Sequence, residues 1–227
     1  MKNFILSIII FFFSNISVFS HVNHYNQLNY IEYELFRNNN LIGLHKYNFL
    51  REGNDLVVES EVNFEIKKLN VVLYKYYAKS EEKYKNEIFY SFASKTKQNK
   101  KDKYVNISVN NTDSKIIIDG SSFKGSIPIN SIVGTWWNHK IVESEAQISA
   151  ISGRVIEQTV TFLGKEQVTI GDKTFSALKF NFKSSDESLP DNKKLNTDIW
   201  YEENSYLWLK AAFNKKGYWE YRIKTFN

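Results

Sequence analysis

Residues 56–67 read LVVESEVNFEIK, and they decide the fold. In an extended chain successive side chains point to opposite faces. Leu56, Val58, Ser60, Val62, Phe64 and Ile66 therefore share one face, and Val57, Glu59, Glu61, Asn63, Glu65 and Lys67 share the other. The first set is apolar but for Ser60, and the second is polar but for Val57. A helix, with its period of 3.6, would scatter both sets around its axis. The stretch is a half-buried β-strand.

The same alternation recurs on both sides of it. Ile31, Tyr33 and Leu35 alternate with Glu32 and Glu34. Val72, Tyr74, Tyr76 and Ala78 oppose Lys75 and Lys79, and Ile88, Tyr90 and Phe92 oppose Glu87 and Ser91. Val105, Ile107 and Val109 face away from Asn106 and Ser108. In the second half Ile156, Val160 and Phe162 share a face, as do Leu178, Phe180 and Phe182, and Trp219, Tyr221 and Ile223. Turn residues punctuate these runs at Asn38–Asn40, Gly53–Asp55, Asn110–Asp113, Gly171-Asp172, Glu203-Asn204 and Lys215–Gly217. With only two prolines, few strands are broken.

The pattern is an all-β antiparallel meander. A sheet with one apolar face must cover that face, and ten or more strands exceed what an open twisted sheet usually holds. The expected architecture is a sheet curled into a half-barrel or folded into a two-layer sandwich. The natural break is Gly120–Gly153, giving sub-layers 29–119 and 154–226 within one β-rich domain, 29–227. Around 130–150 a short helical or irregular segment is expected, with Val142–Ile151 as the helix-compatible run. Gly43 reads as a bulge or a close backbone approach in the second strand.

The amino terminus carries Lys2, an apolar block from Phe4 to Phe13, and a mixed stretch ending at Ser20. That order describes a secretory signal peptide, with cleavage expected after Ser20 and a flexible mature terminus over 21–28. The rival, an uncleaved anchor, needs about 20 apolar residues, and Ser7, Ser14 and Asn15 interrupt this block. The chain has no cysteine, so neither disulfide nor lipidated thiol is available. An exported domain without bridges points to the periplasm of a Gram-negative bacterium. The net charge of +5 falls to +4 once residues 1–20, which hold Lys2 and no acid, are removed. Apart from the run Lys95–Lys103 the charges are mixed in sign, and that run reads as a solvated turn. Nucleic-acid binding would need a basic face with stacking aromatics, so no nucleic acid partner is expected, and no stable membrane anchor.

Chemistry-bearing residues gather in two places. The stretch 134–140, GTWWNHK, departs from the alternation. On a strand Trp136 and Trp137 would point to opposite faces, and on a helical turn they would diverge by about 100°, so they cannot enter one pocket side by side. Either they plug the curl and pack under the loop, or they form a lid over an apolar cavity with Asn138 and His139 at its mouth. The second place is Asp198-Ile-Trp-Tyr201, where Asp198, Trp200 and Glu202 share a face. An acid beside an indole suits a ligand hydroxyl, whereas a solvated or ion-paired acid is the plainer alternative. His21 and His24 offer at most an adventitious metal site, no structural metal-ligand spacing is present, and neither a nucleophile elbow nor a phosphate-binding loop occurs. No catalytic residue, metal or cofactor is expected.

The order Ile42-Gly43-Leu44-His45, Tyr74-Lys75-Tyr76 with Glu82 and Tyr84, Trp136-Trp137-Asn138, Ser152-Gly153, Leu163-Gly164, Ala177, Asp198–Tyr201 and Lys216-Gly217 with Glu220-Tyr221 resembles a family of exported proteobacterial proteins known only as a domain of unknown function. The resemblance spans nearly all of the mature chain, implies an exported β-rich domain, and transfers no catalytic residue. More loosely, the layout is similar to periplasmic lipoprotein-carrier folds, whose curved sheets hold acyl chains; unlike their anchored members, this chain lacks a lipidated cysteine.

The expectation is a soluble periplasmic binding or carrier module for an apolar or amphiphilic ligand, with Trp136, Trp137, Asn138, His139, Asp198 and Trp200 as candidate contacts. Aromatic residues make up 16% of the chain, and curved antiparallel sheets often enclose one small ligand. The alternatives are an envelope enzyme using Asp198, Glu202 and His139 as acid and base, which requires Asp198 and His139 within about one water of each other, and a scaffold docking an envelope protein through a sheet edge.

Overall fold

The computed structural model describes Tyr25 and residues 27–227. The expected leader and the tail histidines His21 and His24 lie outside the described residues. Eight strands precede the break: β1 (Tyr30–Arg37), β2 (Asn40–Glu52), β3 (Asp55–Lys68), β4 (Val71–Lys85), β5 (Ile88–Gln98), β6 (Lys101–Asn110), β7 (Lys115–Gly120) and β8 (Lys124–Pro128). Two short ones lie within it, β9 (Ile132–Val133) and β10 (Ala146–Ile148). Five follow: β11 (Val155–Ile170), β12 (Lys173–Ser184), β13 (Asn196–Glu202), β14 (Trp208–Asn214) and β15 (Tyr218–Phe226).

All fifteen belong to one sheet, in the order β8-β7-β6-β5-β4-β3-β2-β1-β15-β14-β13-β12-β11-β10-β9. Every neighbouring pair is antiparallel except β9 and β10. The two halves of the chain meet edge to edge, β1 against β15 with Tyr33 opposite Ile223. From that pairing each half runs outward as a meander, and the two far edges come back toward each other at the break. Among the contacts that close the curl, Ser122 N donates to Ser152 O (2.8 Å), Ser94 Oγ to Ala150 O (2.5 Å), and Tyr47 Oη to Thr135 O (2.7 Å). At the closure a Cβ on Gly120 would stand 2.6 Å from Ser152 O, so only glycine fits. Gly43 shows both features expected of it. The β1–β2 register slips beside it, and a Cβ there would lie 2.1 Å from Asn63 O.

The inner face is aromatic. Tyr33, Tyr47, Trp137, Phe182, Tyr201 and Trp208 are fully buried in one cluster shared by both halves. Smaller clusters lie under β5–β7, around Phe92 and Ile107, and at the β3–β4 end, around Phe64 and Tyr76. Burial of this much aromatic surface is the main force holding the curl closed.

Within the terminus expected to be flexible, Tyr25 is 1% exposed, stacks on Phe49 and donates to Tyr206 O (2.7 Å). The short helical or irregular segment expected around 130–150 is present, but three details differ from expectation. The run Val142–Ile151 is not a helix. A 3-10 turn occupies His139–Glu143 and strand β10 the residues after it, where pairing with β11 and a buried Gln147–Gln158 hydrogen bond (2.6 Å) override local helix preference. Ile88 and Tyr90 face outward and Phe89 inward, since the β4–β5 register slips opposite Lys83/Tyr84 and reverses the alternation. Phe162 is 53% exposed rather than interior, beside a second slip before Gly164.

Candidate functional site

The GTWWNHK loop is a plug fastened to three parts of the sheet. Trp136 takes a left-handed backbone (φ 63°), which throws its indole away from that of Trp137. Trp137 is 1% exposed and meets Tyr25, Phe49 and Tyr84 edge-on. Trp136 meets Trp208, Phe213 and Tyr221 instead. The divergence expected from the sequence is present, here with Trp136 at a positive φ. From β2, Tyr47 Oη donates to Thr135 O, and from β13, Tyr201 Oη donates to Trp136 O (2.8 Å).

The third fastening is a carboxylate inside the fold. Glu82, on β4, is 2% exposed. It accepts from Tyr84 Oη (2.5 Å), Trp137 Nε1 (3.0 Å) and Thr135 Oγ1 (3.2 Å). Burial raises its carboxyl above the usual range, and the three donors offset part of the rise. Asn138 completes the network, donating to Tyr84 Oη (3.2 Å) and capping the following turn by accepting from Lys140 N (3.1 Å). His139 is buried and stacked on Tyr206.

Beside the plug the sheet encloses a cavity of about 510 Å³. Its origin is in the strand register. Tyr47, Ser60, Ser80 and Ser94 form one inward row across β2–β5. His45, Val62, Ala78, Thr96 and Lys103 form the next, across β2–β6. The flanking rows carry Phe49, Glu82 and Phe92 on one side and Phe64 and Tyr76 on the other. Where serine and alanine line up on adjacent strands the side chains are too short to reach the opposite wall, and space remains. That opposite wall is Trp136, Ile156, Phe213 and Tyr221.

The cavity wall is not apolar throughout. His45 Nε2 lies 2.8 Å from Ser60 Oγ, while its Nδ1 is buried without a partner, as is Trp136 Nε1. Burial lowers the His45 pKa to about 3, so the ring is neutral. Buried polar atoms are normally satisfied; these two nitrogens are closed off from solvent within residues of the cavity wall.

The six residues singled out from the sequence are thus divided. Trp136 lines the cavity. Trp137, Asn138 and His139 belong to the plug. Asp198 and Trp200 stand on the outer face, because β13 turns Thr197, Ile199 and Tyr201 inward. There Trp200 Nε1 donates to Glu166 Oε2 (2.8 Å) and its ring lies between the ammonium groups of Lys179 (4.8 Å) and Lys210 (4.9 Å). Asp198 accepts from Asn181 Nδ2 (2.7 Å) and pairs with Lys179 (3.6 Å). His139 touches Tyr201, on the other face of the same strand. Asp198 and His139 are therefore separated by the sheet, and they form no acid–base pair. Among the described residues no three His, Asp or Glu side chains converge to hold a metal. Sequence reasoning missed His45, Ser80, Ser94 and the role of Glu82. All four occupy inward phases of their strands, and an acid in such a phase is the signal that points to a buried network.

Fold and site together define a single-sheet, β-barrel-like domain with an internal cavity. The family model of the Domain of unknown function (DUF6134) matches residues 33–224, and the chain belongs to that family. A crystal structure of a β-barrel-like protein of another domain of unknown function, DUF1849, from Brucella abortus is similar in fold, with a TM-score of 0.62 and 11% sequence identity over 88% of this chain and 97% of that one. No curated protein matches the chain.

Proposed function

We propose that this protein is a soluble binding or carrier module of the bacterial periplasm, taking an apolar or amphiphilic envelope ligand into the cavity beside Trp136. The carrying observation is the cavity itself. It measures about 510 Å³, within the range of about 300–1,000 Å³ typical of small-molecule sites. Its wall mixes Trp136, Tyr221, Phe213 and Ile156 with Ser60, Ser80 and Ser94. Such a wall suits a ligand with a long apolar part and a few polar atoms. The plug residues hold Trp136 in place, and the signal-peptide pattern at the amino terminus supports the compartment.

Native mass spectrometry of protein purified from its own host without denaturation tests this reading. A co-purifying amphiphile is expected in the wild type and absent in Ser80→Leu. That substitution adds an isobutyl group to the cavity wall at a position with no side-chain hydrogen bond to lose. Wild-type protein free of ligand, and unable to take up a polarity-sensitive apolar dye, would overturn the reading.

A further inference from the structure

The mouth of the cavity is cationic in a way that the carrier reading does not explain. Arg154, before β11, and Lys215, in the β14–β15 turn, both line the cavity. Lys103, on β6, stands directly across from Thr96, which also lines it, and shares its inward phase. The three come from separate elements, yet the Arg154 and Lys103 charges reach Lys215 and, after desolvation, help lower its pKa. Like charges brought together destabilise a fold unless something neutralises them. The other two lysines that line the cavity are paired, Lys79 with Glu61 and Lys194 with Asp191. Among the described residues no ion pair involves Lys103, Arg154 or Lys215.

We infer that the ligand is an anionic amphiphile, its carboxylate or phosphate head seated among Arg154, Lys103 and Lys215 and its tail in the cavity along Trp136 and Tyr221. This rests on the carrier reading and specifies the ligand class for the same site. The chemistry is direct: a guanidinium and two ammonium groups offer converging donors to an oxyanion, and such charge-assisted bonds are the stronger ones. Facing them, the hydroxyl and aromatic wall accepts an unbranched chain without demanding one head group.

Four probes separate the possibilities, each titrated against the full mature protein and read by tryptophan fluorescence and calorimetry: dodecanoate, dodecyl phosphate, 1-dodecanol and inorganic phosphate. Both tailed anions are expected to bind about tenfold or more tighter than 1-dodecanol, with an affinity that falls as salt rises. Inorganic phosphate alone is expected to bind weakly. Arg154→Gln with Lys215→Gln should cut the affinity for the tailed anions about tenfold and leave 1-dodecanol unchanged. Lys215→Gln alone, in an exposed turn, reports the same direction if the double variant does not fold. Equal binding of dodecanoate and 1-dodecanol would overturn the anionic head while leaving the carrier reading intact. Failure of all three tailed probes would overturn both. Inorganic phosphate binding as tightly as dodecyl phosphate would make this a small-anion site and overturn the inference.

Discussion

Replacing each tryptophan of the 136–137 pair by phenylalanine should give unequal results, although the two residues are neighbours and lose the same atoms. Trp137 Nε1 donates to Glu82 Oε2 at 3.0 Å inside the core. A hydrogen bond to a charged group contributes about 1.5–3 kcal/mol, and the void left by the smaller ring adds about 1 kcal/mol. Trp137→Phe should therefore cost about 2–4 kcal/mol. Trp136 Nε1 is buried with no partner, so its removal relieves a desolvation penalty of about 1–3 kcal/mol. That relief offsets the smaller ring, and Trp136→Phe should be near neutral. The Trp137 penalty should also depend on pH. The folded-state pKa of Glu82 lies above its unfolded value, so ionising it costs stability as pH rises from about 4.3 toward the folded value, and costs nothing below. Loss of the indole donor raises the folded value further and extends that costly window upward. The penalty should be largest at the alkaline end of a pH 5–8.5 series and shrink toward pH 5. Urea unfolding across that series measures it. Equal penalties for the two variants, or a Trp137 penalty that grows as pH falls, would refute the buried-carboxylate account.

Two further perturbations follow from other parts of the fold. His45 has its pKa lowered to about 3 by burial, so stability is lost as pH falls from about 6.5, where the unfolded chain takes up the proton, at up to about 1.4 kcal/mol per unit. His45→Gln should flatten that acid limb between pH 6 and 4, and an unchanged slope in urea titrations would show that the ring is not held neutral. Leu69, at the tip of the β3–β4 hairpin, is 91% exposed and has φ 49°, a left-handed conformation that disfavours leucine. Leu69→Asn should stabilise the protein by about 1 kcal/mol in thermal or urea unfolding, and a loss of stability there would mean that the leucine makes a contact the fold requires.

Much of the architecture is legible in particular residues. The alternation from Leu56 to Lys67 places each side chain of β3 on its observed face, and Ile31, Tyr33 and Leu35 do the same for β1. The alternation is legible because a strand has a period of two and one face is wet, so burial repeats locally in the chain. It fails where the period slips. The shift opposite Tyr84 turns Tyr90 outward, and a bulge leaves no reliable mark in composition.

The candidate site was half visible for a related reason. The divergence of Trp136 and Trp137 follows from any regular backbone, but which indole enters the core depends on Tyr47, Glu82 and Tyr201, which come from distant strands. The face on which Asp198 lies relative to its strand neighbours is a sequence property; that this face is the outer one is not. By itself, the sequence determined an all-β antiparallel chain with one apolar surface, since alternation is a property of neighbours along the backbone. Only the tertiary structure decided where the cavity lies, because Ser60, Ser80 and Ser94 become a gap only when hydrogen-bond register sets three strands side by side.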